Sequence, residues 1–323
     1  MKKVLITGVA GLIGSHLLDE LLKKKYRVTG IDDMSAGRID NIRHNLDNKN
    51  FKLVKGDILD KGLFKNLKGN FDYIVHLAAS KKSEEKRDVL RSLGVNTEGT
   101  QNVFEFARRR GGKVVFASTS DVYGRSKDIP FREDSDLVLG PPTAKRWAYA
   151  AAKLYSEQVA FAYNKEFGVP MTVLRYFGAF SARSSFTWSG GHVPLFIDAV
   201  LKDEEIVIHG DGKQTRSMVY ALDLVKGTML AMESPKSDGE IFNIGGDEEM
   251  SVVESARLIH KIAHTSRPLK LKFIPAKKVF GTYREIQRRV PDLKKARKIL
   301  GYRPEIGFVR GLKLTIEERK ACI

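Results

Sequence analysis

The sequence predicts an α/β protein, a doubly wound parallel sheet followed by a smaller C-terminal lobe. Three observations carry that prediction. Apolar strand-like runs alternate with helix-spaced segments through the first half of the chain. The first run opens onto a glycine-rich turn and then a helix. After Phe177 the alternation breaks down. Strands that are apolar throughout belong in a parallel sheet, because helices cover both of its faces. The 323 residues suffice for one large domain or two ordinary ones, and 42% apolar with 29% charged residues is a globular composition.

The elements read in order. Residues 4–8 (VLITG) form the first strand and 12–22 the first helix. Strands two, three and four follow at 27–33, 51–57 and 71–79. Leu, Val, Phe and Ala recur at three and four through 89–110, a long helix. The fifth strand is 113–118, a second long helix covers about 144–167, and the sixth strand is 171–176. Beyond it, a Gly/Ser/Trp-rich loop at 181–192 leads to a helix near 194–201. Residues 206–220 contain Gly210-Asp211-Gly212, a hairpin signal. Residues 239–245 (GEIFNIG) are apolar enough to rejoin the main sheet, and the remainder mixes two or three helices with a short strand at 271–274. The expected division is 1–178 plus about 217–246 as a dinucleotide-binding unit, and 179–216 plus about 247–323 as a lobe over the carboxyl edge of the sheet. Doubly wound folds bind their ligands at that edge.

Composition narrows the function. The net charge is +17, but Lys and Arg are dispersed and no basic stretch is interleaved with aromatics. Nucleic-acid binding is therefore not expected, and the excess reads as solvated surface. Cys322 is the single cysteine, which fits a reducing compartment. Met1-Lys2-Lys3 imitates a signal peptide, but the glycines and Thr7 suit a strand and phosphate loop better. No apolar run is long enough for a bilayer, so a cytoplasmic protein without membrane partners is expected. His260 and His264 are four apart but lack the intervening Glu and third ligand of a zinc site, so no metal is expected.

Thr7-Gly8-Val9-Ala10-Gly11-Leu12-Ile13-Gly14 joins the first strand to the first helix. Glycines let backbone N–H groups approach a pyrophosphate, and the helix start adds partial positive charge. The spacing is GxxGxxG, one residue longer in its first gap than the usual dinucleotide fingerprint. Asp32, ending the second strand, stands where a carboxylate takes the ribose hydroxyls and repels a 2′-phosphate, so NAD is expected over NADP. Asp33 can share that role, and Asp57 and Ile58 stand where an adenine would be flanked.

Two stretches read Tyr-x-x-x-Lys: Tyr123 to Lys127 and Tyr149 to Lys153. The first lacks helical periodicity. The second starts an Ala-rich helical turn, where i and i+4 share a face. An ammonium beside a phenol favours the phenolate, so Tyr149 is expected to have a depressed pKa and to act as a general base. Ser118-Thr119-Ser120 ends the fifth strand with hydroxyls able to bond a substrate oxygen.

Together TGxxGxxG, Asp32, Thr119 and Tyr149-x-x-x-Lys153 resemble the extended short-chain dehydrogenase/reductase family, whose fold is the Rossmann sheet. Further matches are HLAAS (76–80), VNTEGTQNV (95–103), STSDVYG (118–124), LRYF (174–177), HGDGKQTR (209–216), Asp223 and PDLKKARKILGYRP (291–304). These resemble the nucleotide-sugar epimerase/dehydratase branch, and most of all its UDP-glucose and UDP-N-acetylglucosamine 4-epimerases. The resemblance implies a homodimer through the two long helices and a UDP-linked substrate. It implies that Tyr149 takes the 4-hydroxyl proton while C4 gives hydride to NAD, with Thr119 assisting and Lys153 holding the nicotinamide ribose. It also implies cofactor contacts from Gly8, Gly11, Leu12, Ile13, Gly14, Leu77, Ala78, Ala79, Lys81, Asn96 and Tyr176. Arg216 and Arg284 match its diphosphate arginines, with Arg289 a rival for the second.

The chain departs from the family at three points. Gly178 stands where Asn normally holds the sugar nucleotide, Ser181-Ala182 stands where a Gly-Pro pair is frequent, and Ser217-Met218 stands where Asp-Phe is usual. Asp121 occupies the place of an acid that dehydratases and decarboxylases use. The expectation here is that Asp121 caps a turn, which puts 4-epimerisation first, dehydration or decarboxylation second, and a catalytically inactive NAD-binding homologue third.

Overall fold

A computed structural model of the chain describes all residues except 82–88, 186, 188–190, 264–265, 276, 279–284 and 322–323. Trp188, His264, Arg284 and Cys322 therefore lie outside the described residues.

Seven parallel strands form the central sheet: β1 (Lys3–Thr7), β2 (Arg27–Asp32), β3 (Phe51–Lys55), β4 (Tyr73–His76), β5 (Lys113–Thr119), β6 (Met171–Tyr176) and β11 (Glu240–Ile244). Their order is β11-β6-β5-β4-β1-β2-β3, which places the reversal between β1 and β4 and the glycine turn beside it. GEIFNIG does rejoin the sheet, pairing with β6 from Glu240↔Thr172 to Ile244↔Tyr176. Between β6 and β11, the short β7 (Ala179–Phe180) pairs in parallel with β10 (Val219–Tyr220). Val4, Leu5 and Ile6 of β1 are all buried, as a strand covered on both faces requires.

Helices cover each face. On one, α1 (Leu12–Lys23), α7 (Ala221–Glu233) and α9 (Lys294–Leu300) bury Leu17, Leu21, Val225, Met229 and Leu300. On the other, α2 (Lys61–Asn66), α4 (Glu98–Arg110) and α5 (Arg146–Phe167) bury Phe64, Phe104, Phe106 and Val159. The expected helix over 89–110 is two: α3 (Val89–Asn96) and α4, interrupted at Thr97, whose φ −105° and ψ −72° depart from ideal helical values. The β-branched Thr97 turns its hydroxyl onto the Leu93 carbonyl, and such back-bonding bends helices.

A third apolar cluster gathers residues between 180 and 316. It takes side chains from α6 (His192–Leu201), α8 (Val252–Ile262), α10 (Phe308–Lys320) and β8 (Ile206–His209). Asp223 of α7 ties the late chain to the sheet, accepting from the Glu305 and Ile306 amides at 2.8 and 2.9 Å. The hairpin expected over 206–220 does not form. The Gly210-Asp211-Gly212 turn is present, but β8 pairs with β13 (Leu271–Ile274). The next strand, β9 (Thr215–Ser217), pairs with β12 (Glu249–Ser251) and β14 (Arg288–Arg289). Residues 210–214 intervene, too many for a tight two-residue turn, and each short strand finds its partner later in the chain.

The glycine turn is held by close backbone approach. A Cβ on Gly14 would lie 2.2 Å from the Gly8 carbonyl oxygen and 2.8 Å from the Val9 Cα. Gly14→Ala is expected to cost about 1–3 kcal/mol by overpacking. Gly94→Ala, inside α3 with its nearest neighbour at 3.7 Å, is expected to gain roughly 0.5–1 kcal/mol from helix propensity. Urea midpoints moving in opposite directions for the two variants are the result to look for.

Candidate active site

A cavity of about 940 Å³ opens where β1, β4, β5 and β6 end, between the sheet and the later part of the chain. Of the residues singled out from sequence, Gly8, Gly11, Leu12, Ile13, Gly14, Leu77, Ala79, Lys81, Thr119, Asp121, Tyr149, Lys153, Tyr176, Gly178 and Arg216 all line it.

The floor is the glycine turn. Gly8 has φ +77° and donates to the Ile31 carbonyl at 2.7 Å, and any Cβ there would meet the Ala78 nitrogen at 2.7 Å. Ala78 is thus spent on packing against the turn rather than on the cavity wall. Helix α1 begins at Gly11 with no side-chain cap, so its opening N–H groups are left for a ligand or water. Asp32 is buried beside the turn, accepting from Ala10 N and Met34 N at 2.9 Å each, and burial pushes its pKa up. Gly37 leaves room for it, since a Cβ there would lie 2.6 Å from Asp32 Oδ1.

Other expected contacts lie off the cavity wall. Asp33 and Asp57 share the Arg91 guanidinium, at 3.4 and 2.6 Å. Ile58 points into the core against Gly99. Asn96 is buried, its amide donating to the Ser80 and Ser92 carbonyls at 2.7 and 2.8 Å, so it shapes the loop after β4. His76, at the end of β4, is buried between the Thr7 and Thr100 hydroxyls.

Tyr149 and Lys153 face the cavity one helical turn apart on α5. Lys153 Nζ donates to the Ala117 carbonyl at 2.9 Å and sits 4.7 Å from the Phe116 ring centroid. Burial, with Lys81 adding to it, pushes the amine down to about 7. The expected depression of Tyr149 is not what the chain's own groups produce: burial first, and then the Asp121 charge, push the phenol well above its usual range. The spacing rule fails because Lys153 spends a hydrogen bond on a carbonyl and loses charge near neutrality. Lys81 Nζ lies 5.5 Å from the Tyr149 ring centroid.

Asp121 also departs from expectation. The capping oxygen is Thr119 Oγ1, which accepts from Asp121 N at 3.2 Å. The Asp121 carboxylate instead meets Arg146 at 3.3 Å and Arg289 at 2.6 Å. Burial opposes its charge, yet Arg289, Arg146 and Lys81 hold it well below the usual carboxylate range. Arg216 has its fork engaged by the chain itself, donating to the Thr215 and Ile286 carbonyls and to Glu285 at 2.8 Å. Arg289, the sequence's rival for Arg284, lines the same wall.

Sequence reading missed Arg146, Glu285 and His192. His192 opens α6 on the cavity, where burial and Arg216 push its pKa down to about 3. No motif marks it. The discounted pair is indeed apart from this site: Tyr123 is buried, stacked 4.6 Å from Phe131, and donates to Asn243 at 2.7 Å, while Lys127 is exposed. Trp147 packs with Ala150 and Ile286. Among the described residues no group of three or more His, Cys, Asp or Glu could hold a metal, and no helix is long and apolar enough to cross a membrane.

A family model described as the NAD dependent epimerase/dehydratase family matches residues 4–245. UDP-N-acetyl-alpha-D-glucosaminuronate decarboxylase of Bacillus cytotoxicus is 37% identical over 320 residues, 98% of this chain and 97% of that protein. UDP-glucuronic acid decarboxylase 1 of Danio rerio is 34% identical, covering 98% of this chain and 72% of that one. Among solved structures, UDP-glucuronic acid 4-epimerase of Bacillus cereus, in complex with UDP-glucuronic acid and NAD, is 30% identical. It matches with a TM-score of 0.87 over 99% of this chain and 100% of that one.

The buried amine sets a pH dependence of stability. An unfolded lysine keeps its proton up to its ordinary pKa of 10.5, whereas Lys153 in the fold releases it near 7. Between those values the unfolded chain binds more protons, so stability rises with pH across the window. Lys153→Met is expected to be more stable than the native chain at pH 7 by a few kcal/mol, with the gap closing towards pH 10. Urea titrations of both proteins at several pH values check this; a constant gap would contradict it.

Proposed function

Because the chain belongs to the NAD-dependent epimerase/dehydratase family, we propose that it oxidises C4 of a UDP-linked hexuronic acid and releases the C6 carboxylate as carbon dioxide. The observation that carries this reading is the Asp121 carboxylate held between Arg146 and Arg289 on the cavity wall that also presents Tyr149. The guanidiniums of Arg146 and Arg289 bring positive charge to this wall, suited to a substrate that carries its own carboxylate. The similarity to decarboxylases of UDP-linked uronic acids, over nearly the whole chain, supports it.

The residues fit NAD. Gly8 and Gly14 line the cavity at a turn too tight for any Cβ, so it presents bare backbone there, the start of α1 is uncapped, and the Asp32 carboxylate stands beside the turn. Bound there, NAD⁺ supplies a reversible hydride acceptor for C4 and positive charge near the Tyr149 phenol. Once its phenol is ionised, against burial and Asp121 and with the help of the positive charge that NAD⁺ would bring, Tyr149 Oη can take the proton of the 4-hydroxyl as the ketone forms, and Thr119 Oγ1 can hydrogen-bond the same oxygen. The ketone lies β to the C6 carboxylate, so the C5–C6 bond breaks with its electron pair passing into an enolate, and one proton is taken up at C5. Asp121 is held ionised, so it orients the arginines rather than donating that proton. Tyr149 would return its proton to O4 as the 4-hydroxyl of the product is restored.

The second reading keeps the carboxylate and returns hydride to the opposite face, a 4-epimerisation. The likeness to the UDP-glucuronic acid 4-epimerase structure favours it. The homodimer through α3, α4 and α5 belongs to the same proposal, and exposed Leu90, Tyr155 and Phe167 suit a covered face.

Incubation with UDP-glucuronic acid and UDP-N-acetylglucosaminuronic acid, followed by mass spectrometry, separates the outcomes. Loss of carbon dioxide is expected. A new isomer of unchanged mass would establish the second reading, and no turnover of either sugar would remove both. Tyr149→Phe is expected to lower kcat about 10²–10⁴-fold while NAD binding, followed by tryptophan fluorescence, stays nearly unchanged.

A further inference from the structure

We propose that Glu157 is a positioning residue of the reactive pair, pinning α5 to the ends of β5 and β6 and acting as the counter-charge one helical turn beyond Lys153. This rests on the reading of Tyr149 and Lys153 as that pair. Tyr149, Lys153 and Glu157 are spaced by four and share a face of α5. Glu157 is 2% exposed. Its Oε1 accepts from Ser118 Oγ at 2.5 Å and from Arg175 Nε at 3.0 Å, and its Oε2 accepts from Arg175 Nη2 at 2.8 Å. Ser118 precedes Thr119 on β5, and Arg175 precedes Tyr176 on β6. One carboxylate therefore fixes the helix that carries the phenol to the strand residues beside two other members of the cavity wall.

Arg175 is itself held on its far side. It donates to the Glu133 carbonyl at 3.2 Å and lies 4.7 Å from the Tyr123 ring centroid. Glu133 in turn accepts from the Asn243 amide of β11 at 2.7 Å. The network thus spans α5, β5, β6 and β11 with bidentate geometry. A buried ion pair of this kind adds little stability over apolar residues of the same volume. What it supplies is a single register of helix against sheet, and a misplacement of an ångström in such a site costs on the order of 10²-fold in rate.

The electrostatic half comes from the groups that face Lys153. From α5 come Tyr149 and Glu157, from β4 the buried His76, from the loop after it Lys81, from β5 the Ala117 carbonyl with Ser118 and Thr119, and from β6 Arg175 and Tyr176. Among these described groups Glu157 is the anion that favours the Lys153 ammonium, against burial and Lys81.

Both halves of the pair predict a shift in the same direction. Glu157→Gln removes the anion, so Lys153 should lose its proton at lower pH. Arg175→Met leaves a buried carboxylate without its bidentate partner, which favours the neutral acid and withdraws the same anion from Lys153, so its midpoint should fall as well. Trace acetylation of Lys153 with acetic anhydride across pH, followed by mass spectrometry, reads both without any sugar substrate. With a turned-over substrate, the alkaline limb of kcat should move the same way in each variant, with kcat falling about 10–100-fold in Glu157→Gln and Glu157→Asp recovering part of it. A purely structural role would lower stability and kcat in both variants without moving either midpoint, and that result overturns the proposal. Should Glu157→Gln fail to fold, Arg175→Met decides alone: a downward shift supports the proposal and an unmoved or raised midpoint sinks it. Absence of turnover on uronic acids would count against the proposed reaction, while the acetylation midpoints would still judge Glu157.

Discussion

Burying an amine in a protein interior is costly unless its charge is compensated, and Lys153 is the cost around which this molecule is arranged. Its nitrogen reaches the Ala117 carbonyl, the last stretch of β5 before the hydroxyl of Thr119. That bond requires α5 to lie against β5 and β6, where Val159 and Ala160 bury it in the core and Glu157 meets Ser118 and Arg175. The sheet order supplies the rest. With β1 and β4 adjacent at the reversal, the glycine turn after β1 opens into the same crevice as Tyr149. The fold thus brings a close-approach cradle and a desolvated amine to two sides of one cavity.

Much of this arrangement is legible in the sequence, for identifiable reasons. The sixth strand is legible to its last residue because an apolar run between a helix-ending glycine and an aromatic leaves little freedom. Tyr149 and Lys153 are legible because helical spacing is a local rule. Whatever depends on partners distant in the chain is not. Asp121 reads as a turn residue until Arg146 and Arg289 are seen to converge on it. The strands around Gly210 and Gly212 read as a hairpin until β12, β13 and β14 arrive to pair with them. The direction of the Tyr149 shift fails for the same reason: spacing shows which groups are neighbours, but not how much water each has lost.

The cations of the cavity divide into two kinds. Arg216 is engaged by Glu285 and two carbonyls, which fixes its position at the cost of its freedom to meet a ligand. Arg146 and Arg289 share a single carboxylate, and Lys81 stands near the phenol. Arg289 is the register partner of Arg216 across β14 and β9, and its reach to Asp121 carries positive charge from there towards the Tyr149 side. In the proposed reaction that charge is what would meet a carboxylate on the carbon next to the reacting centre.

That distribution of charge also governs the fate of the oxidised sugar. Decarboxylation and 4-epimerisation begin from one 4-keto sugar and differ in how that sugar is held afterwards. Carbon dioxide leaves when the C5–C6 bond stands across the plane of the ketone, so that its electrons pass into the carbonyl. A wall that fixes the sugar ring through groups around the carboxylate favours that alignment. Epimerisation needs the ring to turn over, and so needs slack in the cavity wall. Gly178 removes one side chain there, but Met218 fills the volume, its sulfur lying 2.7 Å from where a Cβ on Gly178 would stand. The thioether is flexible and apolar, so it can yield to a turning ring without offering it a hydrogen bond. The competition is then between Arg146 and Arg289 holding one edge of the sugar and Met218 giving way at the other. A grip by charged groups in a desolvated site is the stronger of these two constraints, which is why the proposed reaction puts loss of the carboxylate ahead of epimerisation.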